Sequence, residues 1–213
     1  MIKGYRPRHV SRTKTDNLYS GTWNVMTLLK PGRVQELAEE IAKTQIEILA
    51  LQETRWPGKG QINKKDYIFY YSGPKEKTGQ AGTGFLLMKK MQKYIISYEL
   101  HNECLCKLRI KGKYNITLIN AYAPTEDKAE EINEQVYDNL QSIVDKVPKS
   151  DLAIILGDVN AKLGKEPAYQ EITGHTLHEE TNRNGELLSD FAAANNEYTI
   201  PAQADTQRNL EVS

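Results

Sequence analysis

The chain has 213 residues, 39% hydrophobic and 26% charged, which suits one soluble globular domain with a substantial core. Lys+Arg and Asp+Glu stand at 28 each, so overall charge gives no argument for a polyanionic partner, although charge can still be organised locally. The first fifteen residues hold Lys3, Arg6, Arg8, Arg12 and Lys14 without an acid, and no apolar segment follows them. They read as a basic, disordered leader over 1–17 and not as a signal peptide or membrane anchor. An intracellular protein, nuclear or cytoplasmic and not secreted, is the expectation.

Tyr19–Met26 reads as the first strand, and Val34, Leu37, Ala38, Ile41 and Ala42 recur at helical spacing after the Pro31-Gly32 start signal. Ile46–Glu53 is an apolar run that ends in a carboxylate. Loop chemistry fills Trp56 to Asp66. Short β-type runs follow at Tyr67–Tyr71, Gly84–Met88, Tyr94–Leu100, Cys104–Ile110 and Tyr114–Tyr122, with Lys111-Gly112-Lys113 as a tight hairpin turn. An amphipathic helix spans Glu126 to Val147, with Ile132, Val136, Leu140, Ile143 and Val147 on one stripe. Leu152–Leu156 runs apolar without a break and stops at Gly157, which predicts a strand covered on both faces. A last helix runs from Gly185 to Asn195, Tyr198–Ile200 begins another strand that Pro201 stops, and 201–213 is an irregular tail. No repeat, linker or low-complexity block divides the chain, so 18–200 is one domain with no inferable protein partner.

Several signals carry no chemistry of their own. Cys104 and Cys106, two residues apart, read as small hydrophobes on one face of a strand in a reducing compartment. The glycines of Gly79–Gly84 are not spaced as a dinucleotide site, and Gly58-Lys59 and Gly164-Lys165 lack the Ser or Thr of a phosphate loop. His175 and His178 read as surface residues of a polar loop. Asn115-Ile-Thr117 is a chance match to a glycosylation acceptor.

Four strand ends remain: Trp23-Asn24, Leu51-Gln-Glu53, Asn120-Ala-Tyr122 and Gly157-Asp-Val-Asn160. Each apolar strand delivers an Asn, Glu, Tyr or Asp to its terminus, where neighbouring strands would assemble one rim. In extended chain Asp158 and Asn160 would point the same way. Hard oxygen ligands without imidazole or thiolate favour Mg²⁺ or Mn²⁺ over zinc. Such a cation beside a second carboxylate and phenolic and amide donors suits phosphodiester hydrolysis.

Thr-Trp-Asn24, Leu-Gln-Glu53-Thr, Asn-Ala-Tyr122-Ala-Pro and Gly-Asp158-Val-Asn160-Ala, in that order, resemble the endonuclease/exonuclease/phosphatase superfamily. Gly-Thr-Trp-Asn-Val-Met-Thr-Leu, Leu-Gln-Glu-Thr-Arg-Trp, Gly-Asp-Val-Asn-Ala-Lys-Leu-Gly and Asn184-Gly-Glu-Leu-Leu-Ser-Asp-Phe191 resemble the endonuclease domain of non-long-terminal-repeat retrotransposons and the host proteins called craniofacial development protein 2-like. The resemblance implies an α/β fold, a four-layer α/β/β/α sandwich of two mixed sheets flanked by helices. It implies that Glu53 holds a divalent metal, Mg²⁺ or Mn²⁺, with Asn24 beside it. It also implies that Asp158 orients or deprotonates the attacking water, and that Asn160 and Tyr122 stabilise the pentavalent phosphorus. DNA is the implied partner. Lys75, Lys77, Lys162, Lys165 and Arg183 are candidate phosphate contacts on the loops Tyr71–Ala81 and Lys162–Asn184, with Arg183 and Lys162 foremost.

The match has a gap. The family closes its site with Ser-Asp-His, and here no histidine follows Ser-Asp; Ser189-Asp190 precedes Phe191. The expectation is therefore a C-terminally truncated domain, one or more strands short, and losing one such electrostatic group costs roughly 10²–10³ in rate. Two readings follow: a Mg²⁺-dependent DNA endonuclease of retrotransposon origin, or a catalytically inactive remnant that only binds. A small-molecule phosphatase is a third.

Overall fold

Uninterrupted apolar runs decide the architecture, because a strand without a polar break must be covered on both faces. The computed structural model describes residues 18–76, 79–125, 130–165 and 178–195. The expected leader, the 198–200 strand, the tail, residues 126–129 of the predicted helix, Lys77 and His175 lie outside them. The elements are β1 (Ser20–Asn24), α1 (Arg33–Ala42), β2 (Ile48–Gln52), β3 (Lys59–Asn63), β4 (Tyr67–Ser72) and β5 (Thr83–Met88). A 3-10 turn over Lys89–Tyr94 then leads to β6 (Ile95–Leu100), β7 (Leu105–Ile110), β8 (Ile116–Tyr122), α2 (Glu130–Val144), β9 (Leu152–Asp158) and α3 (Arg183–Ala194).

Two mixed sheets result, in the orders β1-β2-β5-β4-β3 and β6-β7-β8-β9. The pairs β1–β2 and β8–β9 run parallel, and the other pairings are antiparallel. Alternation along β2 sends Leu49 and Leu51 to α1, which covers that face with Val34, Leu37, Ala38 and Ile41. Ile48 and Ala50 point the other way, into a layer shared with Phe85, Leu87, Cys106, Leu108 and Leu118 from both sheets. Ile119, Ala121, Ala153 and Ile155 cover the outer face of the second sheet, against Val136, Tyr137, Leu140 and Val144 of α2 and Phe191 of α3. Three apolar clusters between four layers, two of helix and two of sheet, make the α/β/β/α sandwich that the motifs imply.

Several boundaries move for physical reasons. Lys59–Asn63, expected as loop, is an edge strand paired with β4; an edge strand alternating between exposed and half-buried residues needs only one apolar residue, Ile62. Tyr94 closes the 3-10 turn instead of opening β6. On α2 the buried stripe is centred on Asn133, Tyr137, Leu140 and Val144, so Ile132 lies at its margin and is 46% exposed. Leu152, at the open start of β9, is 50% exposed and is not covered as the rest of the run is. α3 begins at Arg183, two residues earlier than its apolar pattern, because the Asn182 side chain caps it by accepting from Gly185 N. Cys104 precedes β7 and joins the helix-side core, whereas Cys106 lies between the sheets, so the two do not share a face. Burial pushes both thiols up to about 12, which fits their role as inert apolar groups.

One polar link crosses the layer between the sheets. Gln52 and Asn120 are both fully buried, and Gln52 Nε2 donates to Asn120 Oδ1 at 2.7 Å. Asn120 Nδ2 donates back across the layer to the carbonyls of Leu51 and Gly84 at 2.9 and 2.8 Å. Away from the site end, Arg109 grips Asp151 with Nε at 2.6 Å and an Nη at 2.9 Å, and Thr117 Oγ1 donates to the same carboxylate at 2.8 Å. The Arg109 hydrogen bonds, helped by Thr117, hold the Asp151 carboxyl below its usual range.

Two stability outcomes follow. Asn120→Leu strands the Gln52 amide and two carbonyls, so urea unfolding should show a loss on the order of 3 kcal/mol. Adding Gln52→Leu should cost much less than its own single effect, and additive losses would refute the coupling. Because the folded carboxyl of Asp151 titrates below the unfolded one, its contribution is present above the unfolded value and lost as pH falls through the folded one. Asp151→Asn should thus flatten the fall of Tm with acid below about pH 4 and lower Tm at neutral pH. An unchanged acid limb would contradict this.

Candidate active site

Parallel strands put their C-terminal ends at the same edge, and each sheet contributes one such pair. In the first sheet Asn24 closes β1 opposite Gln52, and Glu53 follows β2 directly. In the second Tyr122 closes β8 in register with Asp158 at the end of β9. The Asn24 side chain joins the two sheets here: Nδ2 donates to Glu53 Oε1 and to Asp158 Oδ2, both at 2.9 Å. Its Oδ1 accepts from Met26 N at 3.1 Å, leaving a second lone pair. Arg55 donates to the other Glu53 oxygen, Oε2, at 2.9 Å.

Tyr122 faces this carboxylate pair. Burial, then the Glu53 charge and the phenol's hydrogen bond to that carboxylate, raise its pKa well above the ordinary tyrosine value. The phenol is therefore a donor throughout the working range of pH.

Asn160 does not sit in extended chain. Its φ is 49°, and its backbone N donates to Asp158 Oδ1 at 3.1 Å in a tight turn. The alternation expected to align Asp158 with Asn160 thus ends at Asp158, and the turn brings the two residues together instead. Asn160 Nδ2 donates to Ala123 O at 2.8 Å, so one amide hydrogen is committed to the chain and the second is free of that bond.

Strain is concentrated at the rim. Met26, Glu53, Arg55, Ala81 and Asn160 are the non-glycine residues at positive φ among the described residues, and each adjoins the site. Each such residue costs on the order of 1–3 kcal/mol and persists only where its surroundings over-determine it. Here they do. Thr54 N donates to Gly82 O, Arg55 N to Ala81 O, Leu28 N to Thr54 O, and the Trp56 indole to Leu28 O at 2.8 Å. Behind Asp158, Gly157 has φ 147°, and a Cβ there would stand 1.8 Å from Ala121 O, so β8 and β9 approach too closely for any side chain.

The N-terminus of α3 braces the Asn160 turn. Asn182 Nδ2 and Asn184 Nδ2 both donate to Asn160 O, at 3.0 and 3.4 Å, and Asn184 also donates to Pro124 O. Asn182 Oδ1 accepts from Lys162 N at 2.7 Å. Gly185 fits against this loop because a Cβ would meet Lys162 O at 2.0 Å. Sequence reasoning missed these supports; Thr-Asn-Arg-Asn-Gly carried the signal, as an Asn cap followed by a glycine too early for a helix end.

Glu53, Asn24, Asp158, Asn160 and Tyr122 are thus brought to one rim. Lys162 is exposed beside it. Arg183 is engaged elsewhere: its two terminal nitrogens pair with Glu134 of α2 at 2.8 Å and with Glu186 at 2.9 Å, tying the helices together. Lys165 pairs with Glu179. Among the described residues no group of three or more His, Cys, Asp or Glu is placed to hold a metal, and no helix is long and apolar enough to cross a membrane. The donor set nevertheless fits a hard cation. Two carboxylates held on one amide repel each other, and Mg²⁺ takes one or two carboxylates, with water and substrate phosphate completing its shell.

The profile of the endonuclease/exonuclease/phosphatase family matches residues 21–196. Craniofacial development protein 2 of Tragulus javanicus is 34% identical over 176 residues, which cover 82% of this chain and 30% of that protein. The chain therefore spans under a third of that curated relative. Among solved structures, the 3′ phosphatase NExo from Neisseria, bound to a product DNA hairpin, superposes with TM-score 0.58 at 17% identity, covering 83% of this chain and 71% of that one. The endonuclease domain of TRAS1, a telomere-specific non-LTR retrotransposon, superposes with TM-score 0.51 at 16% identity, covering 84% and 70%. Sequence profile, rim and sandwich agree: the chain belongs to the endonuclease/exonuclease/phosphatase family.

Proposed function

We propose that this chain hydrolyses phosphodiester bonds, with DNA as substrate, as an endonuclease of retrotransposon descent. The observation that carries the reading is the Asn24 amide, which holds Glu53 of one sheet and Asp158 of the other on a single nitrogen. DNA as the substrate class is supported by family membership and by the DNA-bound and retrotransposon proteins that share the fold.

Glu53, with the spare lone pair of Asn24 Oδ1, would hold a Mg²⁺ or Mn²⁺ ion, which supplies charge to polarise a phosphoryl oxygen and offset the developing negative charge. The chain's own groups carry the rest. Asp158, fixed by Asn24 and by Asn160 N, orients a water for in-line attack and accepts its proton as the new P–O bond forms and the ester P–O bond breaks. The neutral Tyr122 phenol, turning its single hydrogen away from Glu53, and the remaining Asn160 amide hydrogen donate to the phosphoryl oxygens, where charge grows in the transition state. Arg55 keeps Glu53 turned toward the rim. Exposed Lys162, two residues beyond Asn160, would serve as a contact for a flanking phosphate.

The full 213-residue chain should nick supercoiled plasmid with Mg²⁺ and stop with EDTA. Glu53→Ala and Asp158→Ala should each lower the rate by roughly 10³. Nicking no faster than the double variant would end the hydrolase reading, and DNA binding without nicking would leave a binding protein. Because the Tyr122 phenol stays protonated, Tyr122→Phe should lower the rate by one constant factor, about tenfold to a hundredfold, across about pH 7 to 9.5. A wild-type rate that falls toward pH 9.5 while the Phe variant stays flat would assign the phenol a titrating role and contradict this.

A further inference from the structure

A chain with balanced charge need not spread that charge evenly, and here the fold gathers lysines at the end of the sandwich opposite the rim. The turn between β3 and β4 carries Lys64 and Lys65, both exposed. The 3-10 turn after β5 carries Lys89, Lys90 and Lys93, and the hairpin between β7 and β8 carries Lys111 and Lys113. Backbone bonds stitch the three loops into one ridge: Lys89 N donates to Asp66 O at 2.9 Å, and Lys111 N to Tyr94 O at 2.7 Å. Asp66, Glu47 and Asp151 are carboxylates at this end; Glu47 is engaged by Lys90 at 2.7 Å and Asp151 by Arg109. Lys89 is tied to Asn63.

Two tyrosines punctuate the ridge. The Lys93 ammonium lies 4.9 Å from the Tyr94 ring centroid, and that of Lys113 lies 5.7 Å from the Tyr114 ring centroid. Tyr114 is 69% exposed, an aromatic face open to water and flanked by cations. Clustered lysines raise the local potential and attract polyanions. An open ring beside them adds a stacking platform for an unpaired base, since every base presents a π-face. We propose that this ridge binds a single-stranded segment of nucleic acid, phosphates on the lysines and a base on Tyr114.

The ridge is separate from the catalytic rim. β5 runs from Thr83, paired with Gln52 beside Glu53, to Met88, which precedes the 3-10 turn. That distance is roughly 17 Å, so nucleic acid at the rim reaches the ridge only as a second segment or a wrapped flank. The inference does not depend on whether the rim hydrolyses anything.

Fluorescence anisotropy with a labelled 12-nucleotide DNA, in EDTA, tests it on the full chain. The triple variant Lys93→Glu/Lys111→Glu/Lys113→Glu should bind at least about tenfold more weakly at 0.1 M salt, with a log–log salt slope shallower by about 2. Tyr114→Ala should weaken binding about fivefold or more without changing the slope. A control triple of equal charge change on other exposed lysines, Lys30→Glu/Lys43→Glu/Lys146→Glu, should cost less than about threefold. Equal losses in both triples, unchanged binding in the ridge triple, or a ridge triple that loses only binding to phosphatidylserine vesicles would each overturn the proposal. Urea unfolding of every variant separates loss of binding from loss of fold.

Discussion

The buried amide pair Gln52–Asn120 is the contact on which the geometry of this protein depends. Apolar side chains between two sheets attract without direction, so a purely hydrophobic layer would tolerate sliding of one sheet over the other. Asn120 removes that freedom. Its amide reaches from β8 to β2 and β5, meeting Gln52 and two carbonyls at hydrogen-bonding distance inside a buried layer. Breaking these bonds by sliding would leave buried donors and acceptors unpaired. The link lies one residue before Glu53 on one strand and two before Tyr122 on the other, so fixing the sheets fixes the site.

The rim shows where that rigidity is used. Five non-glycine residues there adopt left-handed backbone, in the turns that follow β1, β2 and β9 and in the loop that precedes β5. Such turns are unfavourable alone. They are held by a mesh of backbone bonds among the loops at 26–28, 53–56 and 80–82, and by the two asparagines at the head of α3. The helix cap and the positioning of Asn160 are thus one device, because Asn182 serves both.

Charge is divided between the two ends of the same strands. At one end carboxylates gather around an amide and a neutral phenol; at the other, lysines gather with few acids among them. Since the totals cancel, net charge conceals this division, and only the strand directions, which send alternate loops to opposite ends, bring it out.

The sequence by itself determined the four strand-end motifs, the two-sided burial of β2 and of most of the apolar run in β9, and the family to which those motifs belong, because apolar periodicity and ordered polar termini are local properties of a chain. It did not reveal β3, whose single isoleucine gives an edge strand no pattern to read, nor the early start of α3, whose first turn is specified by an asparagine cap instead of an apolar face. Tertiary structure alone decided that Asn24 would reach Asp158 across 134 residues of sequence and join it to Glu53, that Asn160 would leave the extended line of Asp158, and that Arg183 would pair with Glu134 instead of standing free. It also gathered lysines from three loops into one ridge. These are relations between segments distant in the chain, and they exist only once packing has fixed the sheets against each other, which no local pattern encodes.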